Sequence, residues 1–337
     1  MSFPFNLYAV VFASSFLAAA GSMLLWRRWG YRTGLVDDPG HRKIHDKPIA
    51  LTGGFAVLTG IMVPVLCAAV AFKLGWFGSG PAANGPGIAG DFAGWLGFGL
   101  TRRGSQVAVI LLGALAMVVL GWLDDMWELS PAMKFGGQLL VATAVAAAGV
   151  RITLFVPAPL VNYLVTILWI LTLTNALNFM DNMNGLCGGL GLIGTWCFAW
   201  GAAVQGQYLV ALLAFTTSGA LLGFLPFNFP KASVFLGDAG SHLVGYLLAV
   251  MAILPHFYSS QNPHALAVLK PLVILAVPLL DLICVVIIRW RKNQPFYVGD
   301  TNHLSHRLVR RGWSKTGAVL VIWLMAALAG ALAFVAL

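Results

Sequence analysis

The sequence predicts an all-α, polytopic membrane protein of about ten transmembrane helices. Three observations carry that prediction. Of the 337 residues, 59% are apolar and only 9% are charged, where a soluble domain carries roughly 25% charged residues; mean hydropathy is +0.86. The apolar residues come in runs long enough to cross a hydrocarbon core, which takes about 20 helical residues. The few charges collect between the runs. Ten such runs leave no room for a soluble domain, so residues 1–337 read as one integral-membrane domain.

The first run, 4–26, has no basic residues ahead of it, and Arg27, Arg28 and Arg32 follow it. That is a stop-transfer flank, not a cleaved leader. Further runs lie at 50–72, 105–123, 134–150, 157–174, 186–204, 207–226, 240–256, 269–288 and 315–336. Every face is apolar, so run length and breaks define them, not periodicity. The Gly- and Pro-rich stretch 74–104 is given no state. Cys67, Cys187, Cys197 and Cys284 lie in or beside runs without paired spacing, so neither a disulfide framework nor a zinc site is indicated.

Ten spans create two sets of loops. The set 27–49, 124–133, 175–185, 227–239 and 289–314 holds, with its edges, 15 of the 20 Lys and Arg. The positive-inside rule makes this set cytoplasmic and places both termini outside. The formal charge of +9 is then a set of headgroup-facing loops, and nucleic acid is not expected as a partner. Nine of the eleven carboxylates share the cytoplasmic side: Asp37, Asp38, Asp46, Asp124, Asp125, Glu128, Asp181, Asp238 and Asp300. Asp91 lies outside. Asp281 lies within the ninth run, about two turns before Arg289, and takes no assigned role. Carboxylates beside apolar spans are functional candidates, because lipid tolerates them only at a cost.

The third run ends in Asp124-Asp125. Neighbouring helical residues diverge by about 100°, so the two cannot readily chelate one ion together. One is expected to face reacting phosphates and the other to bond a neighbouring helix or backbone; helix-end carboxylates solvated at the interface are the plain alternative. Lys134 and Gln138 follow one turn apart, and Lys134 is either a phosphate ligand or a snorkelling anchor. Asn175, Asn178 and Asp181 recur at a spacing of three, on one helical face of roughly 120°. Asn184 falls off that face and Gly185 opens a turn. Such uncharged donors around one acid suit a nucleotide edge or a phosphate–metal cluster; interhelical hydrogen bonding is the alternative. Asp238 lies among Gly237, Ala239, Gly240 and Ser241, where a helix start would turn free amides toward a phosphate. One hard carboxylate plus phosphate oxygens is a usual way to hold Mg²⁺. Phe235 could stack on a base or simply pack.

The last loop gathers His303, His306, Arg307, Arg310 and Arg311. His303 and His306, three apart, are expected on one helix face. No third soft ligand is near, so a grip on pyrophosphate fits them better than a transition metal, while some arginines serve anionic lipid. In the first loop, Arg42, Lys43, His45 and Lys47 either set topology or touch substrate.

Taken in order, RKxH…P…GG, DD…K…Q, NxxNxxD…NGL, FxGDxGS, PxxD and HxxHRL resemble the motifs of the polyprenyl-phosphate N-acetylhexosamine-1-phosphate transferase superfamily (glycosyltransferase family 4) over nearly the whole chain. Each is weak alone; six in order are specific. HxxHRL is similar to the bacterial branch that starts O-antigen and teichoic-acid polymers on UDP-GlcNAc, and unlike the phospho-MurNAc-pentapeptide translocases, whose loop has consecutive histidines. The resemblance implies a multi-pass protein of the bacterial inner membrane, active on the cytoplasmic face. It implies transfer of GlcNAc-1-phosphate from UDP-GlcNAc to undecaprenyl phosphate, releasing UMP, as the first membrane step of envelope polysaccharide synthesis. Mg²⁺ (or Mn²⁺) is then expected on Asp238, and Asp124, Asp125, Asp181, His303 and His306 as catalytic. Lys134, Asn175, Asn178, Asn184, Phe235, Arg307, Arg42 and His45 are expected to bind substrate, with uracil on Phe235. The expected partners are the UDP-sugar, the polyprenyl phosphate and membrane lipid; a homodimer is left open.

Two departures stand out. The bacterial pattern often reads DGxDGL where this chain has Asp181-Asn182-Met183-Asn184-Gly185-Leu186, and Ser305 replaces a frequent third histidine. Alternatives are the same chemistry on another UDP-sugar such as UDP-MurNAc-pentapeptide, an inactive homologue, or a lipid transporter. Transporters place their charges near the midplane, whereas these lie at span ends.

Overall fold

A computed structural model describes residues 5–38, 47–74, 88–153, 158–255, 265–295, 297 and 299–335. In chain order the elements are α1 (Phe5–Thr33), β1 (Val36–Asp37), β2 (Ile49–Ala50), α2 (Gly53–Lys73), α3 (Ile88–Trp127), α4 (Pro131–Ala147), α5 (Pro159–Met180), α6 (Leu186–Val204), α7 (Tyr208–Asn228), α8 (Gly237–Ile253), a 3₁₀ turn (Ala265–Leu269), α9 (Lys270–Ile274), α10 (Ala276–Arg291), α11 (Leu304–Arg310) and α12 (Lys315–Val335).

The architecture is all-α apart from one two-residue ladder. β1 and β2 pair antiparallel, with Val36 opposite Ala50, and Ala50 bridges onward to Val234. Among the described residues, seven helices are long and apolar enough to cross a membrane, or eight if α9 and α10 count as one bent span. Ten full-length crossings are therefore not what helix length gives. α4 and α8 are 17 residues each, about 25 Å at 1.5 Å per residue against a hydrocarbon core near 30 Å. The ninth run is bent by 72° between α9 and α10, because Pro278 has no N–H to give Ile274 four residues back. α3 starts 17 residues before the predicted run, at Ile88, inside the stretch left without a state; only Arg103–Trp127 has crossing character.

α8 is the centre of the bundle. From Gly237 to Ala252 every residue is buried except Asp238. α2, α3, α5 and α6 pack around it. Burial of this kind lets a short helix go without lipid contact. Close approach at its first turn depends on Gly121 of α3, where a Cβ would collide with the backbone of Asp238 and Ala239. The C-termini of α3 and α5, the N-termini of α4 and α8, and the α10–α11 connection consequently meet at one end of the bundle.

Candidate active site

At that end the α3–α4 turn folds a lysine back onto an acid. Glu128 adopts a left-handed conformation (φ 47°) just after α3 ends. Ser130 caps α4, its Oγ accepting from Met133 N at 3.3 Å, with Pro131 in the first turn. The buried Asp124 accepts the Leu129 N–H on Oδ1 at 2.9 Å and pairs with Lys134 through Oδ2. The Lys134 ammonium lies 3.7 Å from Asp238 Oδ2 as well. One cation thus sits between two carboxylates from different helices.

Asp125 points elsewhere. Its two oxygens accept the backbone N–H groups of Asp238 (2.9 Å) and Ala239 (3.2 Å). The amides expected to await a phosphate at the start of α8 are therefore taken. Asp125 is a helix cap supplied from another helix, satisfying donors that would otherwise be stranded in a packed core.

Asp238 is fixed on its other side by α5. Asn178 donates to Asp238 Oδ1 and to Ser241 Oγ, both at 2.9 Å. His242 Nδ1 lies 2.6 Å from the Asp238 carbonyl. Asp181 follows α5 as its C-cap residue. Burial first, and the charge of Asp238 second, push the Asp181 carboxyl up to about 8. Asn175 is not part of this cluster: it donates to Gln138 Oε1 (2.7 Å) and to the Leu171 carbonyl (2.8 Å), tying α5 to α4.

Around the cluster, Gly185 takes φ 78°, as the expected turn requires, and its N–H donates to the buried Asn228 at 2.6 Å. Asn228 also donates to the Val234 carbonyl at 2.9 Å, so it pins the α5–α6 and α7–α8 loops together. Asn184 donates to the Pro230 carbonyl at 3.2 Å. Phe235 is half-buried three residues before Asp238, its backbone bonded to Ala50 and Gly53. Arg42 and His45 lie outside the described residues.

The histidine loop departs from expectation. His303 is not on a shared helical face with His306; it precedes α11 with extended ψ (152°). It is buried, and its Nδ1 lies 2.6 Å from Asp281 Oδ2. A buried imidazole needs a partner, and α10 supplies one. His306, on α11, is held below the ordinary histidine range by burial, then by the positive neighbours His303, Arg310 and Lys315. Arg307 is half-buried on the same helix. The loop is braced by Arg289, whose Nε donates to Asp300 Oδ2 at 2.9 Å and whose guanidinium lies over Phe179 at 5.0 Å. Burial raises Asp300, but the hydrogen bonds from Arg289 and Asn302 and the charge of Arg289 outweigh it and leave the carboxyl well below its usual value. Two of the three departing positions meet here, Asn184 being the third: Ser305 donates to Asn182 Oδ1 at 2.7 Å.

Asn228, Asn182, Ser241, Asp281 and Asp300 were not assigned site roles from sequence. Asn228 and Ser241 lie inside the segment that carries Asp238, so a polar residue at the end of an apolar run was the available signal. The Asp281 and Asp300 pairings have no local signal.

A helical membrane protein with acids, amides and histidines gathered at one end of its bundle is the class these features define. The glycosyl transferase family 4 profile matches residues 107–256, which takes in Asp124, Asp125, Lys134, Asn178, Asp181 and Asp238. The chain is 31% identical to a probable undecaprenyl-phosphate N-acetylglucosaminyl 1-phosphate transferase of Bacillus subtilis (strain 168), over 94% of this chain and 81% of that one. It is 32% identical to a decaprenyl-phosphate N-acetylglucosaminephosphotransferase of Mycobacterium tuberculosis (strain ATCC 25618 / H37Rv), over 87% and 73%. It is 28% identical to an undecaprenyl-phosphate alpha-N-acetylglucosaminyl 1-phosphate transferase of Yersinia pestis, over 96% and 80%. The chain belongs to glycosyl transferase family 4.

Proposed function

We propose that the protein transfers GlcNAc-1-phosphate from UDP-GlcNAc to a polyprenyl phosphate, undecaprenyl phosphate in a bacterial inner membrane, leaving a lipid-linked pyrophosphoryl sugar and UMP. The names of the relatives support the sugar and the lipid. The observation that carries the site is Asp238: it is the one partly exposed residue in an otherwise buried stretch of α8, with Lys134 beside it and Asn178 fixing it.

The reaction joins two anions, so charge neutralisation and positioning dominate. An oxygen of the lipid phosphate forms a bond to the sugar-bearing phosphorus as the bond from that phosphorus to the UMP oxygen breaks. The attacking monoester, with second pKa near 6, is mostly ionised already and needs no strong base. Lys134, held by Asp124, supplies positive charge where the phosphates meet. Asp124 then orients that lysine or the nucleophile, and Asp125 holds the α8 backbone that carries Asp238. Asn178, Asn184, Asp181 and Phe235 offer donors, acceptors and a ring to the nucleotide; His303, His306 and Arg307 face pyrophosphate oxygens.

The residues fit Mg²⁺. Among the described residues no three His, Cys, Asp or Glu side chains converge as a cage, but Mg²⁺ characteristically takes one or two carboxylates and completes its shell with water and substrate phosphate. Asp238 is such a carboxylate, one third exposed. When bound, the ion would supply Lewis-acid neutralisation of phosphate charge.

We read ten helical segments as crossing, with α8 protein-encased, and the site as cytoplasmic. The support is that the acid cluster and the Arg-rich loop lie at the same end of the bundle, where the positive-inside rule places the cytoplasm. A transporter reading loses its best residue, since Asp281 is paired with His303. The test is UMP release by detergent-purified protein given UDP-GlcNAc, undecaprenyl phosphate and Mg²⁺, with thin-layer analysis of the lipid product across UDP-sugars. Turnover of UDP-GlcNAc is expected; binding without turnover, or release only from another UDP-sugar, overturns the assignment.

A further inference from the structure

Asp281 is the one intramembrane carboxylate that the proposed reaction leaves unused. It sits in α10, five residues past Ala276, and is 5% exposed; His303 is 4% exposed. Its two oxygens have separate tasks. Oδ1 accepts the Leu304 N–H at 2.7 Å, and Oδ2 lies 2.6 Å from His303 Nδ1. One observed donor, the Leu304 N–H, already converges on this carboxyl group, and the short contact is met in the same way when His303 Nδ1 carries the proton and Oδ2 accepts it. The ring's other nitrogen, Nε2, is thereby left as the working atom. The ring also meets Phe179 edge to face, with centroids 6.0 Å apart. Phe179 is the residue between Asn178 and Met180 on the last turn of α5, one residue from the Asp238 ligand Asn178. The imidazole is thus fixed at one nitrogen by α10 and along one edge by the helix end that carries the site.

We propose that Asp281 is a positioning residue for His303. It selects the tautomer with the proton on Nδ1, fixes the ring plane, and stabilises the imidazolium when Nε2 takes a proton or bonds a phosphate oxygen. This rests on the phosphosugar-transfer reading for what Nε2 touches, but not for the tautomer. A carboxylate that merely anchors α11 would need only the Leu304 N–H. The second oxygen aimed at a histidine nitrogen is the part anchoring does not explain.

Asp281→Asn separates the two roles. The amide keeps its shape and keeps a carbonyl oxygen for Leu304 N–H, but turns an NH₂ toward His303 Nδ1. The ring must then accept at Nδ1 and carry its proton on Nε2. The expected result is a kcat for UMP release lower by about 100-fold, with KM for UDP-GlcNAc little changed, as for other groups that orient a functional histidine. In the double variant with His303→Asn, Asp281→Asn should add no further loss, because it acts through a ring no longer present. Nitrogen-15 NMR of the imidazole-labelled full chain, with His303 identified by its loss in His303→Asn, should place the proton on Nδ1 in the natural protein and on Nε2 in Asp281→Asn. Multiplicative losses in the double variant, or a His303 Nδ1 without a proton in the natural protein, overturn the proposal. If Asp281→Asn does not fold, the measurement on the natural protein still decides. If the natural protein releases no UMP, the reaction reading fails while the tautomer result stands on its own.

Discussion

The acid cluster and the histidine loop share one end of the molecule but are built differently. In the cluster, position comes from main chain. Asp125 grips two backbone N–H groups of α8, and Gly121 lets α3 lie against the same turn. In the histidine loop, position comes from side-chain pairs reaching across the sequence: Asp281 to His303, Arg289 to Asp300, Asn182 to Ser305. A main-chain scaffold around the acids fixes them wherever the helices pack. A loop held in part by charge pairs depends on protonation. The difference predicts that variants in the cluster lose rate or fold outright, while loop variants away from the Asp281–His303 pair lose condition-dependent amounts.

The largest effect is expected at Asp238. Asp238→Asn keeps shape and the Asn178 bond yet removes the charge that faces Lys134, and UMP release should fall by at least about 100-fold. An unchanged rate across Mg²⁺ concentrations would take Asp238 out of the site.

Asp125 should affect stability first. Asp125→Ala strands two amides in the core, at about 1–3 kcal/mol for each buried donor left without a partner. Asp125→Asn retains one acceptor and should recover part of that loss. Thermal unfolding in detergent reads the order natural, Asn, Ala; equal loss in both variants would mean that the capping bonds are not what Asp125 contributes.

That contrast also explains what the sequence could reveal. Asp124, Asp125, Asp181 and Asp238 were legible because a carboxylate beside an apolar run is rare, and their neighbours Gly121, Asn178 and Ser241 are local. The separation of roles within Asp124-Asp125 follows from helix geometry alone, although which acid faces which way needed the packing. The loop was less legible. His303 and His306 read as one helix face because the spacing is three, but a buried acid 22 residues earlier takes His303 out of that face. Helix length recovers only seven or eight of the ten runs, for a physical reason too: a helix sheathed by other helices, such as α8, need not be as long as the bilayer is thick, and hydropathy cannot see a proline-induced bend until the broken helix is placed.

In the loop, the Arg289–Asp300 pair should show pH dependence. Asp300 has a folded value below its unfolded value near 4. The stability this gives is fully present above that unfolded value and is lost as pH falls toward the folded one. Asp300→Asn should therefore be less stable in thermal unfolding than the natural protein at neutral pH, by about 3–5 kcal/mol, because it leaves the buried Arg289 guanidinium without its counter-charge. The gap should close as pH drops below about 4. A gap that persists in acid would assign the effect to packing and not to charge.

The smallest effect is expected where two of the departing positions, Asn182 and Ser305, meet. Ser305 is buried, whereas Asn182 is half-buried and keeps a second bond, from Nδ2 to the Phe179 carbonyl at 2.8 Å. Ser305→Ala removes the donor and leaves Asn182 Oδ1 within reach of water, so the cost should be about 0.5–1.5 kcal/mol, that of an ordinary hydrogen bond. Asn182→Ala does the reverse: it leaves a buried hydroxyl without its acceptor and also breaks the Phe179 bond, so it should cost more. The order follows from which partner water can replace, and melting temperatures of the two variants side by side test it. If Ser305→Ala is the more damaging, the serine is holding α11 through its volume, and the bond to Asn182 is incidental to how the histidine loop is docked.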